Sequence, residues 1–227
     1  MFTNRGVIMS KRKAKIKKKK YWIIAYAPEL LGGVKRPLVK VLCTSPELLI
    51  NRVILIKGYE ITKRLEDRGM NLYFRIIKVT PSGAFTTLVG HDFVREILSS
   101  MVRRHMSKIE VITRVKTKDN QIVKTSVLAM TAHRCHYRQK RAIRLLFEEF
   151  LHNKAKNLTY EEYIYNIIMR KYDQEMINLA KKIYPIKEFL IFKTWAETVW
   201  VRPTEIPENI ESPEEIIRNL EPFRVAK

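Results

Sequence analysis

The sequence predicts an α+β fold in which helices pack against a sheet. Two pairs of strand-like segments, residues 71–80 with 84–90 and residues 108–116 with 121–131, are each interrupted by a short turn. A single amphipathic segment lies between the pairs, and longer helical periodicity begins only near residue 138. The central order is therefore strand, strand, helix, strand, strand.

The two strand pairs read as hairpins because β-branched and aromatic residues flank residues typical of turns. Pro-Ser-Gly joins residues 71–80 to residues 84–90, and Lys-Asp-Asn lies between the strands of the second pair. Asn120 is suited to this turn because asparagine tolerates the left-handed backbone conformation. The second pair is therefore expected to reverse at Asn120.

The segment between the hairpins, residues 90–104, has the spacing of one short amphipathic helix. Its apolar side chains recur every three or four residues, and polar side chains take the other face. The apolar set is Phe93, Val94, Ile97, Leu98, Met101 and Val102.

Before the first hairpin, residues 21–27 and 52–59 are apolar and predict two further strands. Ser45, Pro46 and Glu47 predict a short helical turn through Leu49. Gly32, Gly33 and Pro37 mark a loop between the strands, and no helix follows the glycine pair to make it a phosphate cradle.

After the second hairpin the pattern becomes helical over residues 138–158. Its apolar stripe consists of Ala142, Ile143, Leu146, Phe147, Phe150 and Leu151. Thr159 with Glu162 forms a capping-box pattern, which predicts a helix that continues with breaks towards Lys182. Alternating apolar residues then predict a last strand over residues 187–201.

Composition divides the chain into three parts. Residues 1–20 form a basic tail expected to be disordered, since eight of the ten positions 11–20 are Lys or Arg. Residues 21–201 are expected to be one domain. Residues 202–227 form an acidic, proline-rich extension in which Ser212 and Pro213 predict the start of a short helix.

The charge balance implies an anionic partner. Lys and Arg total 44 against 23 acidic residues, a formal net charge of +21. Nucleic acid, an anionic membrane surface and an acidic protein remain open on charge alone. The chain has no apolar run long enough to span a membrane, and its two cysteines suggest no disulfide framework, so we expect a cytoplasmic protein without a membrane role.

No pattern of catalytic residues stands out. His133, Cys135 and His136 are close together, but a tetrahedral metal site requires a fourth ligand, usually in a second pair. Ser99 and Ser100 lie within the predicted helix, outside any nucleophile elbow. The sequence also has no Walker loop or dinucleotide fingerprint. We therefore predict no enzyme activity, no cofactor, no metal and no small-molecule substrate.

Basic residues interleaved with aromatic ones are the remaining signal, and they favour RNA. Arginine offers forked donors to phosphate oxygens, and aromatic rings stack on unpaired bases. Three groups of them are predicted to form one electropositive surface: residues 17–20 with Tyr21 and Trp22, residues 103–105, and Arg134 with His136, Tyr137, Arg138, Lys140 and Arg141. The RNA-binding candidates are Lys11, Arg12, Lys13, Lys15, Lys17, Lys18, Lys19, Lys20, Tyr21, Trp22, Arg95, Arg103, Arg104, His105, Arg134, Arg138, Lys140, Arg141 and Arg144.

Several motifs resemble one known family. WIIAYAPE at residues 22–29, SPELLINRVI at 45–54, LYFRIIKV at 72–79, GHDFVR at 90–95 and KIYPIK at 182–187 occur in the order seen in the small-subunit ribosomal protein family S-one-e, or S-three-Ae, shared by archaea and eukaryotes. Shorter matches lie at residues 102–104, 117–119 and 141–144. The resemblance covers roughly residues 11–201, and the chain's size looks archaeal. Asn120 stands where that family usually has glycine, and Asn51 stands where it usually has glycine or histidine.

The resemblance implies an antiparallel, partly closed β-barrel-like core with helices packed on it. It also implies a structural constituent of the small ribosomal subunit that binds small-subunit rRNA and neighbouring proteins on the platform, near the mRNA exit and the 3′ end of the rRNA. The alternative is a non-ribosomal RNA-binding protein or ribosome-assembly factor with the same core. An enzyme built on His133, Cys135 and His136 is a third hypothesis, and membrane-surface binding by the tail is a fourth.

Overall fold

The computed structural model describes residues 20–31, 37–80 and 83–197. Within them the chain forms eight strands: β1 Tyr21–Tyr26, β2 Pro37–Cys43, β3 Val53–Lys57, β4 Met70–Thr80, β5 Gly83–Phe93, β6 Lys108–Lys116, β7 Ile122–Thr131 and β8 Ile186–Ala196. The α-helices of this part of the chain are α1 Gly58–Thr62, α2 Arg95–Met101, α3 Tyr137–Asn157, α4 Tyr160–Ile168 and α5 Asp173–Lys181.

Strand β5 is the centre of the sheet because it changes partner along its length. One edge pairs with β4, antiparallel, from Gly83 to Phe93. The other edge pairs first with β1, in parallel at Ala84 and Phe85, and then with β8, antiparallel from Gly90 to Asp92. Beyond these neighbours lie β2 next to β1, β3 next to β4, and β7 followed by β6 next to β8.

This topology confirms the α+β class and supports the predicted antiparallel, partly closed barrel-like core only in part. The sheet is mixed, because the β1–β5 pair is parallel. It is also not closed into a barrel: among the described strands, β2, β3 and β6 each pair with a single neighbour. β1 and β8 pair with successive parts of the same edge of β5 and then diverge. The sheet therefore divides into two parts, which we call wings, and does not continue around a barrel axis.

Two hydrophobic cores follow from the two wings. The larger lies between the sheet and α3 to α5, where Phe147 of α3 meets Phe189 of β8 with ring centroids 5.3 Å apart. The smaller contains Ile23 of β1, Val41 of β2 and Ile76 of β4. Burial of these side chains is the main favourable term in folding.

Both predicted hairpins are confirmed, as are the helical turn at Pro46–Leu49 and the break between the helices that follow Thr159. Asn120 has the expected left-handed backbone, with φ of 59°. In α3, the alternate stripe residues Ile143, Phe147 and Leu151 are completely buried. The acidic extension lies outside the described residues.

Three segments differ from their predictions. The strand predicted over residues 52–59 ends at Lys57, and α1 begins at the next residue. The other two differ for tertiary reasons. Residues 90–93 continue β5, because the backbone there pairs with both β4 and β8, and the helix shrinks to α2. Pro37 begins β2 instead of a loop. An edge strand accepts proline because it does not need every N–H for the ladder. Only Val41 and Cys43 of the seven β2 side chains are buried.

The gap on β5 between β1 and β8 is closed by a side chain from α4. The Tyr160 hydroxyl lies between the carbonyl oxygens of Leu88 and Val89 and donates to them. Burial raises the pKa of Tyr160, so the hydroxyl keeps its proton. Helix α4 is thereby fixed to the point at which the sheet divides.

Candidate nucleic-acid interface

Three connecting segments meet at one end of the sheet. Strand β6 begins there after residues 102–107, β7 ends there before residues 132–136, and β8 begins there after residues 182–185. Helix α3 also starts at this end, immediately after residue 136. We call this region, residues 102–107, 132–144 and 181–187, the basic end.

Hydrogen bonds hold the three segments of the basic end together. The backbone N–H of Thr131 donates to Ser107 O at 3.1 Å, and Cys135 N–H donates to the Ser107 hydroxyl at 3.2 Å. Ala132 N–H donates to Pro185 O at 3.0 Å. The Tyr184 hydroxyl donates to Arg134 O at 3.1 Å. The three segments are therefore connected to one another and present their side chains on one surface.

The basic end carries many exposed cations. None of the ion pairs among the described residues uses one of them. Of the predicted candidates the structure brings together Arg103, Arg104, His105, Arg134, Arg138, Lys140, Arg141 and Arg144, of which Lys140 and Arg144 are half-buried. Sequence reasoning missed three exposed members of the group, Lys181, Lys182 and Lys187. The signal that could have found them is Pro185, because a proline just before a strand marks a connecting segment at the end of the sheet.

The N-terminus of α3 adds positive potential to the basic end. The first turn of α3 has no acidic residue, and Gln139 Oε1 accepts from the His136 N–H at 2.9 Å. By contrast, α4 has carboxylates at its start: Glu162 accepts from Thr159 N–H, and Asp119 accepts from Tyr160 N–H. A helix N-terminus carries a partial positive charge, so that of α3 favours a bound anion.

The remaining candidates lie elsewhere. Lys20, Tyr21 and Trp22 are at the start of β1, beyond the first residues of β5, whereas the basic end lies beyond the last ones. The predicted single surface is therefore two separate groups. Arg95 is exposed at the start of α2, between them in sequence and close to the end of β5. Lys11, Arg12, Lys13, Lys15, Lys17, Lys18 and Lys19 lie outside the described residues.

The end of the sheet opposite the basic end carries acidic groups. An open cleft of about 640 Å³ lies beside the start of α4, and Glu29, Asp119, Glu161 and Glu162 are among its lining residues. The Lys118–Asn120 turn, at the far ends of β6 and β7, borders it. This end also carries the exposed Lys116 and Lys118, so its charge is mixed, unlike that of the basic end.

The histidines and cysteine considered for metal binding belong to the basic end. His133 and His136 are exposed, and Cys135 packs against the larger core. Within residues 20–31, 37–80 and 83–197, no three His, Cys, Asp or Glu side chains are grouped closely enough to hold a metal ion.

One buried histidine lies away from the basic end. His91 of β5 has its Nε2 2.9 Å from Ile191 O and its Nδ1 2.7 Å from the Thr194 hydroxyl. Burial lowers its pKa to about 4, so the ring is neutral. It donates through Nε2 and accepts from Thr194 through Nδ1. These bonds connect β5 to β8 through the His91 side chain.

No helix among the described residues is both long and apolar enough to cross a membrane.

Comparison with known proteins identifies the family. The sequence model of the Ribosomal S3Ae family matches residues 9–198. The small ribosomal subunit protein eS1 of Desulfurococcus amylolyticus is 37% identical over 82% of this chain and 87% of its own length. The proteins of the same name from Staphylothermus marinus and Sulfurisphaera tokodaii are each 34% identical, over 78% and 81% of this chain and 82% and 93% of their own lengths. The chain therefore belongs to the ribosomal S3Ae family, in its archaeal type.

Proposed function

We propose that this protein is a structural constituent of the small ribosomal subunit and binds small-subunit rRNA through its basic end and its N-terminal tail. We place it on the platform, near the mRNA exit and the 3′ end of the rRNA, beside neighbouring small-subunit proteins. Its place in the cell would then be the cytoplasm, bound to ribosomes. The family is one of ribosomal structural proteins and not of enzymes.

The observation that carries this proposal is the set of exposed cations without acidic partners at the basic end, on a member of a ribosomal family. Salt bridges elsewhere on the described surface show that acids are available to neutralise cations where the fold brings them together. At the basic end they do not, which leaves the positive charge free for phosphate.

The geometry suggests how the phosphates are held. Arg103 and Arg134 come from two segments that hydrogen bonds connect, and Arg138 follows Arg134 at the start of α3, so the spacing of their backbone positions is set before RNA arrives. A preorganised site loses less entropy on binding. Each phosphate contact also releases condensed counterions, which makes the affinity strongly dependent on salt.

Sedimentation of the tagged protein with ribosomal subunits tests the proposal. The triple variant Arg103→Ala, Arg138→Ala, Arg141→Ala should move from the small-subunit fraction towards the top of a high-salt sucrose gradient. The matched control Lys116→Ala, Lys118→Ala, Lys124→Ala removes the same charge from exposed positions of the β6–β7 hairpin away from the basic end, and should stay with the subunits.

The unmodified protein gives the decisive result. If it co-sediments one-to-one with small subunits and resists the salt wash, it is a constituent. If high salt removes it, it is an assembly or RNA-binding factor and the proposal is wrong. Equal loss of the triple variant and its control would contradict the role assigned to the basic end.

A further inference from the structure

Tyr137 is an aromatic side chain with no structural task in the described part of the fold. It is the first residue of α3 and its side chain is 69% exposed. Its ring takes part in none of the aromatic or cation–ring contacts found among the described residues. Tyr160, Tyr163 and Tyr172, in contrast, are buried in the larger core.

The surroundings of Tyr137 are those of a base-stacking site. Arg138 follows it directly, and Arg141 is four residues further along the helix, where side chains share a face. Both arginines are exposed, and Arg134 precedes the helix on a segment held by Tyr184. Tyr137 is therefore flanked along the chain by cations suited to phosphate, at a helix N-terminus that favours anions.

Such an arrangement discriminates between RNA forms. In duplex RNA the bases are stacked on one another and their faces are closed to a protein side chain, whereas unpaired bases in loops and single strands stack readily on tyrosine. Exposing a large ring to water is unfavourable, so a partner that covers it is favoured. Phosphate contacts alone would need no aromatic residue at this position.

We propose that the basic end binds an unpaired RNA nucleotide, whose base stacks on Tyr137 while Arg138 and Arg141 contact the flanking phosphates. This inference rests on the proposed function and deepens it, because it names the kind of RNA that the site takes. Double-stranded RNA would be held by the cations only.

The test compares two RNA forms on the full-length protein. The probes are a single-stranded RNA that carries a fluorescent purine analogue, and the duplex it forms with its complement. Tyr137→Leu should weaken binding of the single strand by about 5- to 160-fold, the usual range for one lost stack. It should leave duplex affinity and the salt dependence unchanged, because no charge is lost. Tyr137→Phe, which keeps the ring, should bind both RNA forms as the unmodified protein does.

Tyr59→Leu is the matched control, since Tyr59 is an exposed tyrosine on α1 and should affect neither probe. An equal effect of Tyr137→Leu on both RNA forms, or no effect on either, overturns the stacking proposal while leaving the basic end as a phosphate surface. If Arg138→Ala and Arg141→Ala also bind both probes with unchanged affinity, the proposed function of this end fails as well, so the two failures are distinguishable.

Discussion

His91 shows how a single side chain couples two strands to pH. Its folded-state pKa of about 4 lies below the usual value near 6.5, because burial disfavours the charged ring. Between these two values the unfolded chain binds more protons than the folded one. Stability contributed by neutral His91 is therefore complete above pH 6.5 and falls as pH drops towards 4.

We expect His91→Gln to remove this part of the pH dependence. Denaturant titrations of the two proteins between pH 4 and 7 should show the unmodified chain losing up to about 3 kcal/mol more stability on acidification than the variant. Asp173 opposes the trend, because burial raises its pKa to about 7, but it is common to both proteins and cancels in the comparison. Parallel pH profiles would contradict the assignment.

Asn120 and Asn51 illustrate a backbone requirement met by asparagine. Their φ angles are 59° and 64°, in the left-handed region that glycine adopts without strain. Asn120→Gly should therefore leave stability nearly unchanged, whereas Asn120→Val should lower it by about 1–2 kcal/mol. Thermal unfolding checks both variants. The same exchange at exposed Asn153, inside α3, should reverse the order, because glycine is the poorer residue within a helix.

At the scale of elements, the attachment of α4 to the split sheet depends on Tyr160. Replacing it with Phe removes the donor that serves the Leu88 and Val89 carbonyls and leaves them buried without it, a loss of about 1–3 kcal/mol. Urea titration should show a lower midpoint with an unchanged slope. Tyr59→Phe, which alters an exposed hydroxyl, should not shift the midpoint.

The sequence predicted the elements whose signals are local. The two hairpins and the Thr159 cap depend on neighbouring residues, and all of them appear in the structure. The end of β5 could not be predicted, because residues 90–93 are held in a strand by β8, about a hundred positions later in the chain. The candidate cations could likewise be identified by residue type. Their division into a group at the start of β1 and a group at the basic end could not be predicted, because it depends on the same distant strand pairing.

At the scale of the whole molecule, Lys20 at the start of β1 and the basic end lie beyond opposite ends of β5, and we expect the tail and the basic end to act independently on RNA. Replacing Lys17, Lys18, Lys19 and Lys20 with Ala should reduce the slope of log affinity against log salt by about 3. The triple variant of Arg103, Arg138 and Arg141 should reduce it by about 2–3. Distant sites contribute additively, so the combined variant should lose the sum, measured by filter binding over a salt series.

A combined variant no more affected than one of its parents would show that the two groups bind the same phosphates. If the tail substitutions leave the slope unchanged, the tail takes no part in RNA binding.

The hydrogen bonds from Ala132 to Pro185 and from Tyr184 to Arg134 also set the order in which function arises during synthesis. A chain emerges from its N-terminus, and the tail is therefore available to RNA from the start. The basic end cannot be assembled until residues 182–187 have emerged and β8 has joined β5 and β7. Under the proposed function, a nascent chain would meet RNA first through its basic tail, and would gain the contact shaped by the basic end only when its fold is nearly complete.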